Sequence, residues 1–90
     1  MEFEWDEGKD EANRAKHGVS LAEAEQLEWD EALDEIDDRT DYGELRISAL
    51  VPRAGRLYFC AYTLRGAVHR IISLRKAIAR EVMRYAEQRS

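Results

Sequence analysis

The segment that decides the fold is "ELRISALVPRAGRLYFCAYTLRGAVHRIISL", residues 44–74. Leu45, Ile47, Ala49 and Val51 recur at every second position and alternate with the polar Arg46 and Ser48, which is the period of a β-strand. The run "PRAG" then predicts a turn. The run "RLYFCAYTL" is apolar at nearly every position, as in a central strand covered on both faces. After "RGA", the run "VHRIISL" predicts a third strand. Three antiparallel strands therefore form the body of the predicted sheet.

Two helices are predicted before this sheet. "DEGKDEANRAKHG", residues 6–18, has Asp6 to cap the amides at its start and Gly18 to take the left-handed conformation at its end. "SLAEAEQLEWD", residues 20–30, begins with Ser20 and Glu23 at the spacing of a capping box. A short strand is predicted around residues 33 to 37, and the acidic stretch around residues 37 to 43 is the linker candidate.

A last helix is predicted from about Lys76 to Gln88. At 100° per residue, two faces of this helix differ in chemistry. We expect the apolar face to pack on the core and the cationic row to face away from it; these are Ile78, Val82 and Tyr85 on one side and Lys76, Arg80 and Arg84 on the other. The sequence thus predicts one α+β domain over residues 1–90, with two N-terminal helices, a three- to four-stranded antiparallel sheet and a C-terminal helix.

The size and composition exclude several classes of protein. A chain of 90 residues has room for one modest core. No apolar run approaches the roughly 20 residues of a membrane span. The acidic N-terminus lacks the layout of a secretory signal, so a cytoplasmic protein is expected. The single cysteine, Cys60, lies in an apolar run and is expected to be a buried, inert thiol.

The charge is divided unevenly along the chain. Residues 1–45 hold 17 acidic and 4 basic side chains, whereas residues 46–90 hold 2 acidic and 10 basic ones. Such asymmetry is typical of a protein that binds a polyanion or a charged partner. The alternative is that the two halves fold together and neutralise each other. Charge alone leaves both explanations open.

A cationic set in the second half carries the candidate chemistry. One Cys and two His match no zinc spacing, and the acidic segment lacks a calcium-loop pattern, so we expect no metal. Arginine binds phosphate through two parallel hydrogen bonds. The set comprises His69, Arg70, Arg75, Lys76, Arg80 and Arg84, and Arg46 and Arg65 are further candidates from the neighbouring strands of the sheet. The alternative is a solvated helix face beside an acidic partner surface.

Cutting RNA without a metal requires three functions. One group takes the 2′-OH proton, another protonates the leaving 5′-oxygen, and positive charge stabilises the phosphate. Arginine or lysine would supply the charge, and His69 or Lys76 would move protons. Tyr85 is either a catalytic phenol or, as its helical phase favours, a core tyrosine with its hydroxyl at the rim. His17 is explained by a helix C-terminus, with RNA contact as the alternative.

Four segments in order resemble the BrnT toxins of bacterial type II toxin–antitoxin systems. They are "FEWDEGKDEANRAKHGVSLAEA", "DDRTDYGE", "GRLYFCAYT" and "RIISLRKAIAREVMRY", which together span Phe3 to Tyr85. The segments "KHGV" and "RIIS.RKA" are the most specific. The chain departs from the family pattern in its last helix, where Val82 and Met83 stand at positions that are commonly arginine.

The resemblance implies a compact RelE-like fold and a ribonuclease that inhibits translation. It also implies a BrnA-like antitoxin with a ribbon-helix-helix domain, which forms a 2:2 complex with the toxin. That complex represses its own promoter, so operator DNA would be contacted only through the antitoxin. No cofactor is implied. The positions that match the family motif are Lys16, His17, Arg70, Arg75, Lys76, Arg80 and Tyr85.

The sequence therefore leads to one hypothesis and two rivals. The hypothesis is an endoribonuclease in which Arg70, Arg75, Lys76 and Arg80 bind and stabilise the scissile phosphate. Further RNA contacts are expected from Lys16, His17, Arg46, Arg65 and His69. One rival is a catalytically weak module that binds the antitoxin as a co-repressor. The other is an RNA-binding protein that does not cut its ligand.

Overall fold

A computed structural model describes residues 1–37 and 44–89 of the chain. It has five strands, two α-helices and two 3₁₀ helices, and the predicted α+β class is confirmed. In chain order the elements are β1 (Glu2–Trp5), α1 (Glu7–His17), 3₁₀ helices at Leu21–Gln26 and Trp29–Glu31, β2 (Leu33–Asp37), β3 (Arg46–Arg53), β4 (Arg56–Arg65), β5 (Val68–Lys76) and α2 (Ala79–Arg89). The predicted linker, beyond residue 37, lies outside the described residues.

The predicted caps and turns are confirmed. The Asp6 carboxylate accepts a hydrogen bond from the Lys9 backbone N–H, and Gly18 ends α1 with φ = 72°. Ser20 and Glu23 form the capping box. Between β3 and β4, Ala54 and Gly55 take φ values of 51° and 80°. Positive φ at both central residues gives a two-residue hairpin the twist that suits its strands.

The sheet is larger than predicted and mixed rather than antiparallel. Its strand order is β1-β5-β4-β3-β2, so the apolar strand β4 is central, as the sequence indicates. β1 adds a fifth strand, and it pairs parallel to β5, from Glu2 opposite Val68 to Trp5 opposite Ile71. Four residues are too few to show a strand period in the sequence, and the pairing joins distant parts of the chain.

The second predicted helix is a short 3₁₀ helix. Leu21–Gln26 has the predicted start but only six residues. In a 3₁₀ helix, residues three apart point the same way. Leu21 and Ala24 are both fully buried, so this tight geometry places two apolar side chains in the core at once. The capping box fixes the start of the helix, and Leu27 returns to an extended conformation.

The sheet has two chemically different faces. The core face carries the buried residues Ile47, Ala49, Val51, Cys60, Tyr62, Ile71 and Leu74, which pack beneath the 3₁₀ helices. Along each strand the alternate residues form the polar face, which includes Glu35, Ser48, Thr63, Arg70, Ser73 and Arg75. The same face also carries Leu50 and Ala61, which are buried, so it is a mixed face whose charged groups lie around a small apolar patch.

The last helix differs from its prediction in start and orientation. β5 continues through Lys76, so α2 begins at Ala79. The side chains expected to face the core are open to solvent, with Ile78 46% and Val82 47% exposed, whereas Glu81 is 7% exposed. The reason is the surface that α2 meets. Because the polar face offers charged groups, α2 turns its own charged groups towards it.

Among the described residues, the helices are too short and too polar for any of them to span a bilayer.

Candidate nucleic-acid interface

A cleft of about 390 Å³ lies between α2 and the polar face of the sheet. Its floor is formed by side chains of the interior strands β3, β4 and β5 and of the edge strand β2, and α2 closes one side. It is lined by Glu35, Ile36, Asp37, Ser48, Phe59, Arg75, Arg80, Glu81 and Arg84. We call it the arginine cleft, because three arginines line it and provide its only positive charges among the described residues.

Arg75 is the most tightly held of these arginines. Its Nη1 and Nη2 atoms donate to Glu81 Oε1 and Oε2 at 2.8 and 2.9 Å, and its guanidinium carbon lies 4.2 Å from the centre of the Phe59 ring. These hydrogen bonds are the main reason that the pKa of Glu81 is lowered from its usual 4.5. Glu81 is therefore ionised at neutral pH, and Arg75 has a fixed position in the cleft.

The other two arginines come from α2. Arg80 is exposed and makes no ion pair or hydrogen bond within residues 1–37 and 44–89. Arg84 pairs with Glu35 of β2 at 3.1 Å, and both side chains are partly exposed. An exposed pair of this kind contributes roughly 0 to 1 kcal/mol. A phosphate can therefore compete for Arg84 at little cost, and Arg80 is open to it.

Arg70 lies on the same face as Arg75 but in another part of it. Arg75 comes five positions after Arg70 along β5, which is about 16 Å between Cα atoms at roughly 3.3 Å per residue. Arg70 pairs with Glu4 of β1. It faces Thr63 in the sheet register, and Thr63 faces Arg46. The polar face thus has two cationic regions, one at the arginine cleft and one around Thr63.

Two predicted site residues point to the core face. On β5, Lys76 directly follows Arg75 and His69 directly precedes Arg70. Neighbouring side chains on a strand point to opposite faces, so both residues lie on the face opposite the two arginines. The His69 ring lies 4.7 Å from the ring of Tyr62 and 5.6 Å from that of Trp29. Burial in this aromatic cluster lowers the pKa of His69 from its usual 6.5. The structure therefore separates both residues from Arg75.

Lys16 and His17 lie at the C-terminus of α1, beside β5. They line a second cleft of about 190 Å³ together with Ser73 of the polar face. Burial is the main cause that lowers the pKa of His17 from its usual 6.5, and the positive charges of Lys16 and Arg75 lower it further. His17 is thus a neutral imidazole at pH 7 within electrostatic reach of Arg75.

Ion pairs between the two halves explain part of the charge split. Within residues 1–37 and 44–89, the pairs that join an acid of the first half to an arginine of the second include Glu4–Arg70, Glu23–Arg53, Glu31–Arg89, Glu35–Arg84 and Glu44–Arg65. Arg65, a predicted RNA contact, is therefore engaged at 3.5 Å at the β4–β5 end of the sheet. Mutual neutralisation and a cationic site coexist, because Arg80, Lys16 and Lys76 remain outside these pairs.

Sequence reasoning missed the two residues that hold Arg75 in the cleft, and it left open the role of Tyr85, which lies outside the cleft. Glu81 and Phe59 contact the guanidinium of Arg75 from two sides. The available signal for Glu81 was its position as the sole acid among the basic residues from 69 to 85. Tyr85, the open case, donates its hydroxyl hydrogen to the Glu31 carbonyl at 2.6 Å and is partly buried. The hydroxyl is thus bonded to the backbone at the rim, but Ile78 and Val82, which share the helical phase of Tyr85, are exposed rather than packed on the core.

No cation-binding cluster is present in the described part of the chain. Within residues 1–37 and 44–89, no three His, Cys, Asp or Glu side chains are placed to hold a metal ion. Cys60 is fully buried, and burial strongly raises the pKa of its thiol.

The fold and the cleft define a small α+β protein with an arginine-rich surface suited to phosphate groups. A model of the family described as "Ribonuclease toxin, BrnT, of type II toxin-antitoxin system" matches residues 5–81. The chain therefore belongs to the BrnT family of ribonuclease toxins, and the resemblance seen in the sequence is confirmed. The matched region includes Arg75, Arg80 and Glu81. A search of curated proteins found no match.

Membership of this family also implies a partner. In a type II toxin–antitoxin system the toxin has an antitoxin, so this chain has an antitoxin partner.

Proposed function

We propose that this chain is a single-domain cytoplasmic endoribonuclease that cuts RNA without a metal ion at the arginine cleft. The observation that carries the proposal is the convergence of Arg75, Arg80 and Arg84 on one cleft between α2 and the polar face of the sheet. Arginines stabilise the charge that develops on a phosphate during cleavage. The family description as a ribonuclease toxin supports the same activity.

The arginines that the sequence predicts to bind phosphate lie in two separate regions of the structure. We propose that Arg75 and Arg80 bind the scissile phosphate, while Arg70 and Arg46 bind a neighbouring part of the RNA backbone across the polar face. Support comes from the pairing of Arg75 and Arg70 with different carboxylates, Glu81 and Glu4. Lys16 would contact RNA beside the cleft. Lys76, His69 and Arg65 would contact RNA only if it extends past the edges of the polar face.

The proposed reaction is an internal transesterification. The 2′-oxygen loses its proton and attacks the adjacent phosphorus, a new P–O2′ bond forms, and the P–O5′ bond breaks. The products are a 2′,3′-cyclic phosphate and a 5′-hydroxyl, and the 5′-oxygen takes up a proton. Arg75 and Arg80 would stabilise the extra negative charge on the phosphoryl oxygens in the transition state.

We propose that His17 takes the 2′-OH proton. It is neutral at pH 7, because burial and the charges of Lys16 and Arg75 lower its pKa from 6.5. A general base acts only in its deprotonated form. The value of kcat/KM should therefore be steady near pH 7 and fall as the pH drops below the pKa of His17. In His17→Gln the rate should be lower and this acidic decline should disappear, as measured by pH profiles on one RNA oligonucleotide.

A profile for His17→Gln that still declines at the same acidic pH would remove His17 from this role. His69→Gln is a matched control, because its imidazole also has a lowered pKa but points to the core face.

The proposed activity is tested with purified chain and total bacterial RNA. In excess EDTA, we expect undiminished cleavage and products that carry 2′,3′-cyclic phosphates and 5′-hydroxyls, mapped by end-specific ligation and sequencing. Loss of cleavage in EDTA, with recovery on adding Mg²⁺, would refute metal independence. RNA that is bound but recovered uncut would favour the RNA-binding rival, and salt-steep binding would accompany it.

We propose that the antitoxin is of the BrnA type, with a ribbon-helix-helix domain, and that the two proteins form a 2:2 complex that binds operator DNA through the antitoxin. The family description supports an antitoxin in general. In the same assay, adding the purified antitoxin should stop cleavage. A complex that binds its operator while the toxin alone never cleaves RNA would favour the co-repressor rival.

A further inference from the structure

The guanidinium of Arg75 is held from three directions. Its end edge donates from Nη1 and Nη2 to the two oxygens of Glu81, and Nη1 also donates to the Lys76 carbonyl at 3.2 Å. One flat side lies against the Phe59 ring at 4.2 Å. A surface arginine ordinarily samples many rotamers, so these contacts greatly restrict where its charge can be.

Glu81 is itself fixed. It is 7% exposed, and its Oε1 atom also accepts the Ile78 backbone N–H at 2.9 Å at the start of α2. A carboxylate with both oxygens engaged by strong donors is a poor proton acceptor. Its contacts instead connect the first turn of α2 to the end of β5. Glu81 thus acts on the cleft through Arg75.

The hydrogen bonds of Arg75 leave one edge of the guanidinium unused. A guanidinium has five N–H groups. Both on Nη1 and one on Nη2 are engaged, and among residues 1–37 and 44–89 no acceptor takes the remaining two, on Nε and Nη2. Those two N–H groups lie side by side on one edge and point the same way, which is the fork that a phosphate accepts bidentately.

We infer that Glu81 and Phe59 are positioning residues that fix Arg75 so that its Nε edge is presented to the scissile phosphate. This inference rests on the proposed ribonuclease function. Without these contacts the arginine keeps its charge but loses its orientation. Misplacement of a group by about 1 Å can cost on the order of 10²-fold in rate.

The first test is Glu81→Gln, an exchange of nearly equal size. The glutamine amide offers one acceptor oxygen, and its NH₂ group cannot accept from the second Nη. We expect kcat on an RNA oligonucleotide to fall on the order of 10²-fold, with little change in KM. Glu87→Gln changes the other carboxylate of α2, which is exposed, and should leave both constants unchanged.

The second test uses free guanidinium ion. In Arg75→Ala, the space between Glu81 and Phe59 is open, so guanidinium at non-denaturing concentration should bind there and restore part of the activity. The ion should not rescue Arg75→Ala combined with Glu81→Gln or with Phe59→Leu. Arg75→Ala combined with Glu81→Gln removes both charges of the buried pair, so this variant has no buried charge without a partner. A purely structural role predicts no such dependence.

The outcomes separate this inference from the proposed function. If Arg75→Ala is inactive but Glu81→Gln cleaves RNA as fast as or faster than the unchanged chain, the inference is overturned and the proposed function stands. Faster cleavage would mean that Glu81 competes with phosphate for Arg75. Equal rescue with and without Glu81 would also overturn it. If folded Arg75→Ala cleaves RNA normally, both fail.

Discussion

Cleavage of RNA by the double variant Arg75→Ala, Arg80→Ala is expected to fall by roughly 10³-fold, and growth arrest on its expression is expected to disappear. Removing one fixed donor from a developing oxyanion typically costs on the order of 10² to 10³ in rate. Arg75 provides a fixed guanidinium in the arginine cleft, and Arg80 provides a second one that is open to solvent. The measurement is the initial rate on an RNA oligonucleotide, with growth curves after induction.

The single variants have different structural consequences. Arg75→Ala leaves the buried Glu81 carboxylate without its main partner, so it is expected to lower stability as well as activity. Arg80→Ala breaks no ion pair within the described residues and is expected to affect activity alone. Thermal unfolding by circular dichroism separates the two effects. A rate loss in Arg80→Ala at unchanged melting temperature is therefore the clearest support for a phosphate contact.

The matched control is Arg56→Ala. Arg56 is an exposed arginine at the first residue of β4, beside the β3–β4 turn, so its removal changes the net charge by as much as either single variant does but leaves the cleft intact. It should cleave RNA at the normal rate. If the folded double variant cleaves RNA no more slowly than Arg56→Ala, the arginine cleft is not the site of cleavage.

Local signals in the sequence predicted the hairpins and the helix starts. The alternation from Leu45 to Val51, the turn before Arg56 and the cap at Asp6 depend on neighbouring residues, so they could be read without tertiary information. β1 could not, because a four-residue strand acquires its structure by pairing with Val68–Ile71, more than 60 residues away. The same limit applies to the extension of β5 through Lys76, which the sequence assigned to the start of a helix.

The orientation of α2 shows where periodicity fails as a guide to burial. A helical stripe such as Ile78 and Val82 faces the core only if the facing surface is apolar. The surface that α2 covers carries Arg75 and Glu35, and the helix meets it with Glu81 and Arg84. The contact between α2 and the sheet thus buries paired charges instead of apolar side chains. Hydropathy alone does not predict such an orientation of a helix.

The sequence indicated the residue types of the candidate site, but it did not predict how those residues are arranged in space. Sequence reasoning grouped Arg70, Arg75 and Lys76 because they are close along the chain. On a strand, however, Arg75 and Lys76 point to opposite faces, and Arg70 is far from Arg75. Placing Lys76 on a helix concealed this separation. Glu81 escaped attention because an acid in a basic segment was counted as charge rather than as a partner for one arginine.

Asn13→Ala is expected to lower the free energy of unfolding by about 3 kcal/mol. β1 pairs with β5 only as far as Ile71, so Leu74 has no strand beside it on that edge. Asn13 of α1 takes the place of a strand: its Oδ1 accepts the Leu74 N–H at 3.2 Å, and its Nδ2 donates to the Leu74 carbonyl at 2.8 Å. Nδ2 also donates to the Val19 carbonyl at 2.8 Å.

The size of the effect follows from what alanine leaves behind. Three buried backbone groups lose their side-chain partner, and each unsatisfied group costs roughly 1 to 3 kcal/mol. A loss of about 3 kcal/mol would lower the melting temperature of a chain this small by roughly 12 to 24 °C. Glu11→Ala, at an exposed position of the same helix, should stay within about 0.5 kcal/mol of the unchanged chain. Urea unfolding followed by circular dichroism measures both.

An unfolding free energy for Asn13→Ala close to that of Glu11→Ala would show that water satisfies these groups and that α1 is not tied to the sheet in this way. The expected result has a consequence for the site, because Leu74 directly precedes Arg75. The two hydrogen bonds from Asn13 hold the backbone of β5 where the strand has lost β1, and Arg75 extends from the next residue. At temperatures where Asn13→Ala is folded, its rate of RNA cleavage should therefore fall more than that of Glu11→Ala.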